Sequence, residues 1–167
     1  MSKRVLVIGF GNAFRHDDGV ASVIVNELRG RLGRPPLDSL DDGFDDLGHA
    51  VDTVLLHQIV PELAESLEGY QLVIFVDAHV PDVSEPLREE WLEAAHRTPF
   101  VYHQTHPATV LDLARRLYGK APEGVLLSVR GHDFDFGEGL SPETAALVSP
   151  AVERILALAG HGVAGQA

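Results

Sequence analysis

The sequence predicts an α/β fold, a three-layer α/β/α sandwich around a mostly parallel sheet of about five strands. Short apolar runs at residues 5–8 and 72–76 read as strands buried on both faces, as inside a parallel sheet, and 51–56 and 124–129 read as two further strands. Stretches with helical apolar spacing lie between them, as parallel neighbours require of their crossovers. Glycines and prolines mark the junctions.

Taken in order, the first strand breaks at Gly9 and Gly11, which mark a turn, and Asp17 and Asp18 then stand where a helix begins. Val20, Val23, Ile24 and Leu28 continue that helix from about Asp18 to Leu32, with Gly33 and the Arg34-Pro35-Pro36 break as its stop. Residues 37–50, with five aspartates and few apolar positions, read as a surface loop, with contact to a metal or a basic partner as the minority reading. The second strand, 51–56, ends at His57-Gln58. Pro61 opens a short helix with Leu63, Ala64 and Leu67 on one face and Gly69 as its stop, and the third strand, 72–76, ends on Asp77.

Residues 78–99 fit two patterns: Leu87, Trp91, Leu92 and Ala95 suit a helix, whereas the surrounding prolines and Thr98 suit extended chain. A short strand over 100–102 leads to His103. Pro107 opens a helix whose Val110, Leu111, Ala114 and Leu117 face inward as far as Gly119. After the strand at 124–129 comes a polar loop, 130–139. Ser141-Pro142 then starts one last helix, with Ala145, Leu147, Val148, Val152, Ile155, Leu156 and Leu158 inward and a frayed tail after Gly160.

At 167 residues and 45% hydrophobic, the chain is expected to form a single domain over 1–167. Thirteen Lys and Arg against 25 Asp and Glu, a net charge of −12, disfavour binding to nucleic acid or an anionic membrane. With no cysteine there is no disulfide framework, thiolate nucleophile or zinc ribbon. Lys3 and Arg4 precede an apolar run too short for a signal peptide, and no run is long enough to span a membrane.

Ligands of such sheets bind beyond the carboxyl ends of the strands. Asp18 follows the first strand, His57 ends the second, Asp77 the third, and His103 the short strand over 100–102, so all four are expected at one rim. If the strand order reverses around the first strand, the strands ending near Ile8, Val76 and Tyr102 are neighbours on one side, and Asp18, Asp77 and His103 converge. His57 then lines the cleft from the far side. Two carboxylates and an imidazole suit a borderline or hard divalent ion and leave coordination positions open.

Each residue also has an ordinary reading. Asp17 or Asp18 can cap a helix, Asp77 a turn, and His103 can sit at a helix entry; helix capping accounts for one of the paired aspartates but not both. His106, directly before Pro107, reads as the helix-start residue. Gly9-x-Gly11 falls short of a dinucleotide fingerprint, because Phe14 holds the third glycine position and two acids stand where a pyrophosphate would bind. His-Glu-x-x-His and Gly-x-Ser-x-Gly are both absent.

At these residues the sequence resembles the hydrogenase maturation endopeptidases, which process the large subunit of nickel–iron hydrogenases. Gly9-Phe-Gly-Asn12 with Asp17-Asp18-Gly19 is similar to the family's opening signature, Val73-Ile-Phe-Val-Asp77-Ala78 to its second acidic strand end, and His103 to its histidine. His57-Gln-Ile-Val-Pro-Glu-Leu-Ala64, Asp133-Phe-Asp-Phe-Gly137 and Leu140-Ser-Pro142 resemble the subgroup that serves bidirectional, NAD-linked hydrogenases. The chain departs from the family where Asp18 replaces a frequent glutamate and where His57-Gln58 replaces an acidic, glycine-rich strand end.

The resemblance implies a cytoplasmic, aspartyl-type endopeptidase that removes the C-terminal extension of a nickel-loaded hydrogenase large-subunit precursor. In it, Asp18, Asp77 and His103 engage nickel that the precursor supplies. Polarisation of the scissile carbonyl by nickel and activation of a water by the metal both remain open as the route to cleavage. A nickel chaperone that cleaves nothing and a nucleotide-binding regulator that uses the glycine turn are the alternatives.

Overall fold

The computed structural model describes residues 3–38, 41–95 and 105–160. Within them a five-stranded sheet runs in the order β2-β1-β3-β5-β4, formed by β1 (Val5–Phe10), β2 (Val51–Leu56), β3 (Leu72–His79), β4 (Leu87–Leu92) and β5 (Glu123–Arg130). β2, β1, β3 and β5 are parallel, and β4 closes one edge antiparallel to β5. β1 and β2 are buried along their whole length, β1 as its apolar run requires and β2 with Asp52 and Thr53 buried among its aliphatic residues.

Strand alternation sends the apolar side chains to two cores. Val5, Val7, Ile74, Val125, Leu127 and Val129 face α1 (Val20–Arg31) and α4 (Val148–Leu158); Leu6, Ile8, Val73 and Phe75 face the 3₁₀ helix Pro61–Leu67 and α2 (Pro107–Tyr118). This is the expected three-layer sandwich, and the expected stops at Gly33, Gly69 and Gly119 all adopt positive φ.

Several elements differ from the sequence reading, and residues 87–92, which fitted two patterns, take one of them. Gly9 lies inside β1, and the turn begins only at Gly11. A 3₁₀ turn, His16–Gly19, precedes α1. Residues 87–92 are extended: an edge strand is half solvated, so its polar positions hide the period of two, and Leu87 and Trp91 imitate a helical pair. The last helix is broken into α3 (Pro142–Ala145) and α4. Pro150 then falls in the first turn of α4, where its missing N–H costs nothing, whereas in one continuous helix it would clash with the carbonyl of Ala146. Ala145 and Leu117, expected inward, are exposed. The short strand expected over 100–102, His103 and the tail lie outside the described residues.

Two aspartates of the 37–50 loop tie it to the rest of the chain. Asp42 pairs backbone to backbone with Leu55, and Asp46 meets both Arg29 (2.9 Å) and His49 (3.0 Å). Arg29, only 2% exposed, also donates from Nε to the Pro35 carbonyl (2.6 Å) and from Nη1 to Thr53 Oγ1 (2.8 Å). One guanidinium thus ties α1 to this loop and to β2. Arg29→Ala is expected to destabilise the fold by about 3 kcal/mol, because it removes the stem's packing and leaves Thr53 and Asp46 without their partner. Urea unfolding checks this as a lower midpoint at unchanged slope; a loss below about 1 kcal/mol would contradict it.

Candidate active site

The direction of winding changes between β1 and β3. The chain leaves β1 through α1 for β2 on one side, and leaves β3 through α2 for β5 on the other. This creates a crevice at the carboxyl ends of β1 and β3, and both expected carboxylates reach it. Gly11 makes the turn possible: its φ is +145°, and a Cβ there would overlap the carbonyl oxygen of Asp18. The chain thereby folds back so that Asn12 N–H donates to Asp18 Oδ2 at 2.9 Å. Asp77 lies on the same face of β3 as Val73 and Phe75 and accepts from Ala78 N at 2.8 Å.

Asp18 and Asp77 line one cavity of about 1000 Å³, together with His57, His79, Phe10 and Phe134 among others. Burial pushes the Asp77 carboxyl up to about 8, and the charge of nearby Asp18 adds to the rise against the lowering by Ala78 N–H. No basic side chain is ion-paired to either carboxylate among the described residues. A proton therefore sits where a cation would be favoured. His57 lines this cavity, as its position at the end of β2 predicts.

The convergence of three residues is only partly visible. The strand beside β3 is β5, not the segment over 100–102, so the expected neighbour is corrected: residues 123–130 supply the longer apolar run, and it takes the interior place between β3 and the edge strand β4. His103 lies outside the described residues, and among those residues no group of three His, Asp or Glu could hold a metal ion. His106 is the N-cap of α2, with Nδ1 accepting from Ala108 N at 3.0 Å.

The reading of Asp17 as a helix cap is also corrected. Its carboxylate is fully buried and accepts from His132 N (2.7 Å), Asp133 N (2.9 Å), Ser141 N (2.7 Å) and Ser141 Oγ (2.7 Å). Further bonds link the same two segments: His16 N to the Gly137 carbonyl (2.8 Å), Asp17 N to that of Asp133 (2.9 Å) and Arg15 Nε to that of Phe134 (3.0 Å). The 131–141 segment is thus stapled against the turn that carries Asp18, and its Phe134 becomes a wall of the cavity. Asp17, Phe134 and His79 are the site-shaping residues that sequence reasoning missed. The repeated Asp-Phe of 133–136 was the visible signal for the second of them.

The fold and cavity define a doubly wound α/β protein with a pair of carboxylates at its switch point. The hydrogenase 2 maturation protease of Escherichia coli K12 is 29% identical over 161 residues, covering 92% of this chain and 89% of that protein. The structure of the hydrogenase maturating endopeptidase HybD from E. coli superposes with a TM-score of 0.70 at 26% identity, covering 93% of this chain and 91% of that one. The [NiFe] hydrogenase maturation protease HybD of Thermococcus kodakarensis shares the fold, with a TM-score of 0.63 at 19% identity over 93% of this chain and 99% of that one. No family model matches the chain. In sequence and in fold the chain is similar to hydrogenase maturation proteases over more than nine-tenths of its length, and its activity is that of an endopeptidase.

Burial raises the Asp17 carboxyl, but the bonds from His132 N, Ser141 Oγ, Ser141 N and Asp133 N outweigh it and hold it down at about 2. A depressed carboxyl contributes stability above its unfolded value of 3.8 and loses it as pH falls through about 2. Wild-type protein is therefore expected to lose about 2 kcal/mol through this group between about pH 4 and pH 2. Asp17→Asn should already be less stable at neutral pH, by about 2–4 kcal/mol, and should lack that acid-dependent increment. Thermal unfolding of both proteins against pH checks this; parallel curves would refute it.

Proposed function

We propose that this chain removes the C-terminal extension of a nickel–iron hydrogenase large-subunit precursor, and that nickel carried by the precursor is the element it recognises. The observation that carries the reading is the Asp18–Asp77 pair in one switch-point cavity, with no cationic partner among the described residues. Carboxylates without an ion-pair partner suit a divalent ion, and two of them are too few to retain one tightly. The ion then arrives with the substrate, held from its side by softer ligands, and the cavity supplies the vacant positions. Recognition of the precursor and verification of its metal become one event.

In this reading Asp18, Asp77 and His103 engage the nickel, with His103 as the nitrogen ligand. The metal contributes Lewis acidity, either to the scissile carbonyl or to an attacking water, while the two aspartates serve as the hydrolytic carboxylates. His57 and Gln58 lie further along the cavity wall and contribute to which precursor is accepted; the reading assigns the chain to precursors of the bidirectional, NAD-linked type. Maturation is placed in the cytoplasm. No helix among the described residues is long and apolar enough to cross a membrane.

The test is parallel incubation of the purified protein with nickel-loaded precursor, nickel-free precursor and casein, followed by mass spectrometry. Only the loaded precursor should be cut. Asp18→Ala, Asp77→Ala and His103→Gln should each slow cutting by at least about a hundredfold, whereas His57→Gln should slow it by no more than about tenfold. Digestion of casein, or equal cutting of the nickel-free form, would refute nickel recognition. Binding of the loaded precursor without cleavage would favour a chaperone.

A further inference from the structure

β3 continues two residues past Asp77, and His79 at its end bonds to two other segments. Its Nε2 lies 2.7 Å from the Glu85 carbonyl oxygen, and its Nδ1 lies 2.8 Å from Ser128 Oγ on β5. A carbonyl oxygen only accepts, so Nε2 carries the proton; in the neutral ring Nδ1 is then the acceptor, and the Ser128 hydroxyl donates to it. One imidazole in one tautomer satisfies both bonds.

Glu85 belongs to the β3–β4 connection over residues 80–86, and Val80 and Val83 of that connection line the cavity that holds Asp18 and Asp77. The base of the connection is held elsewhere, by Arg130 N donating to the Pro86 carbonyl and Arg130 Nη1 to that of Ser84, each at 2.8 Å. The connection has little packing where it leaves β3: Val80 is 54% exposed. His79 is therefore the side-chain link from the strand that presents Asp77 to the wall that faces it, beside the bonds from Arg130 of β5.

Building on the precursor-processing reading above, we propose that His79 is a positioning residue for the precursor. Its Nε2–H bond to Glu85 fixes the 80–86 wall, against which the precursor chain lies while its scissile bond is placed at Asp18 and Asp77. The wall acts in binding, not in the chemical step, so its loss appears in KM.

The experiment compares wild type, His79→Phe, which keeps the ring volume without the bonds, and His79→Gln, which keeps an N–H donor. With nickel-loaded precursor, the Phe variant should raise KM about fivefold with kcat within about twofold of wild type, and the Gln variant should recover most of the loss. Hydrogen exchange at the amides of residues 82–85 should accelerate in the Phe variant and not in the Gln variant, and long-range nitrogen spectra of wild type should show a protonated Nε2 and a bare Nδ1. Unchanged KM in the Phe variant, or a fall in kcat at unchanged KM, would overturn the proposal. If wild type does not cut the precursor, the processing reading fails; the exchange measurement still decides the role of His79, and unchanged exchange overturns it.

Discussion

The cavity depends on one buried carboxylate that does not enter it. Asp17 places a full charge in a water-free position and compensates it with three backbone N–H groups and a hydroxyl from residues 132–141. An ionised carboxylate without such donors would be expensive to bury, so the two segments are obliged to come together. Asp17 and Asp18 are adjacent in sequence and opposite in use. The first is fully satisfied inside the protein; the second keeps a single hydrogen bond among the described residues and faces the cavity. The 3₁₀ turn His16–Gly19 separates them, since successive residues of a tight helix point in different directions.

The switch point supplies the rest. Winding in opposite directions from β1 and β3 leaves a gap in the covering layers at their carboxyl ends, and whatever residues end those strands are presented to one crevice. Asp77 stands there in surroundings that favour its neutral form, beside a second carboxylate that favours it further. A divalent ion reverses both effects at once, which is why the pair reads as half of a recognition site.

The likeness to E. coli HybD extends over nearly the whole chain at 26% identity. A fold tolerates such divergence because many combinations of apolar side chains fill two cores at the same volume. The positions that shape the site in this chain are less forgiving. Gly11 combines a positive φ with a close approach to Asp18 that leaves no room for a Cβ, and the end of β3 must present a carboxylate at one register position to reach the crevice.

What the sequence by itself determined were the features encoded within a few residues of one another. Buried strands announce themselves by apolar runs, helix entries by Pro61, Pro107 and Ser141-Pro142, and the site by a carboxylate directly after the third run and another just past the glycine turn that ends the first; from these the layer architecture and the placement of Asp18, His57 and Asp77 at one rim were legible. Tertiary structure decided what depends on distant partners. The neighbour of β3 is β5 because pairing is settled by competition among strands, and residues 87–92 become an edge strand only once β5 offers its free side. The role of Asp17 rests on donors 115 to 124 residues away, and that of His79 on Ser128, 49 residues away. No local pattern records such pairs, because a carboxylate that caps its own helix and one that anchors a remote loop have the same sequence neighbours, and only the folded chain chooses between them.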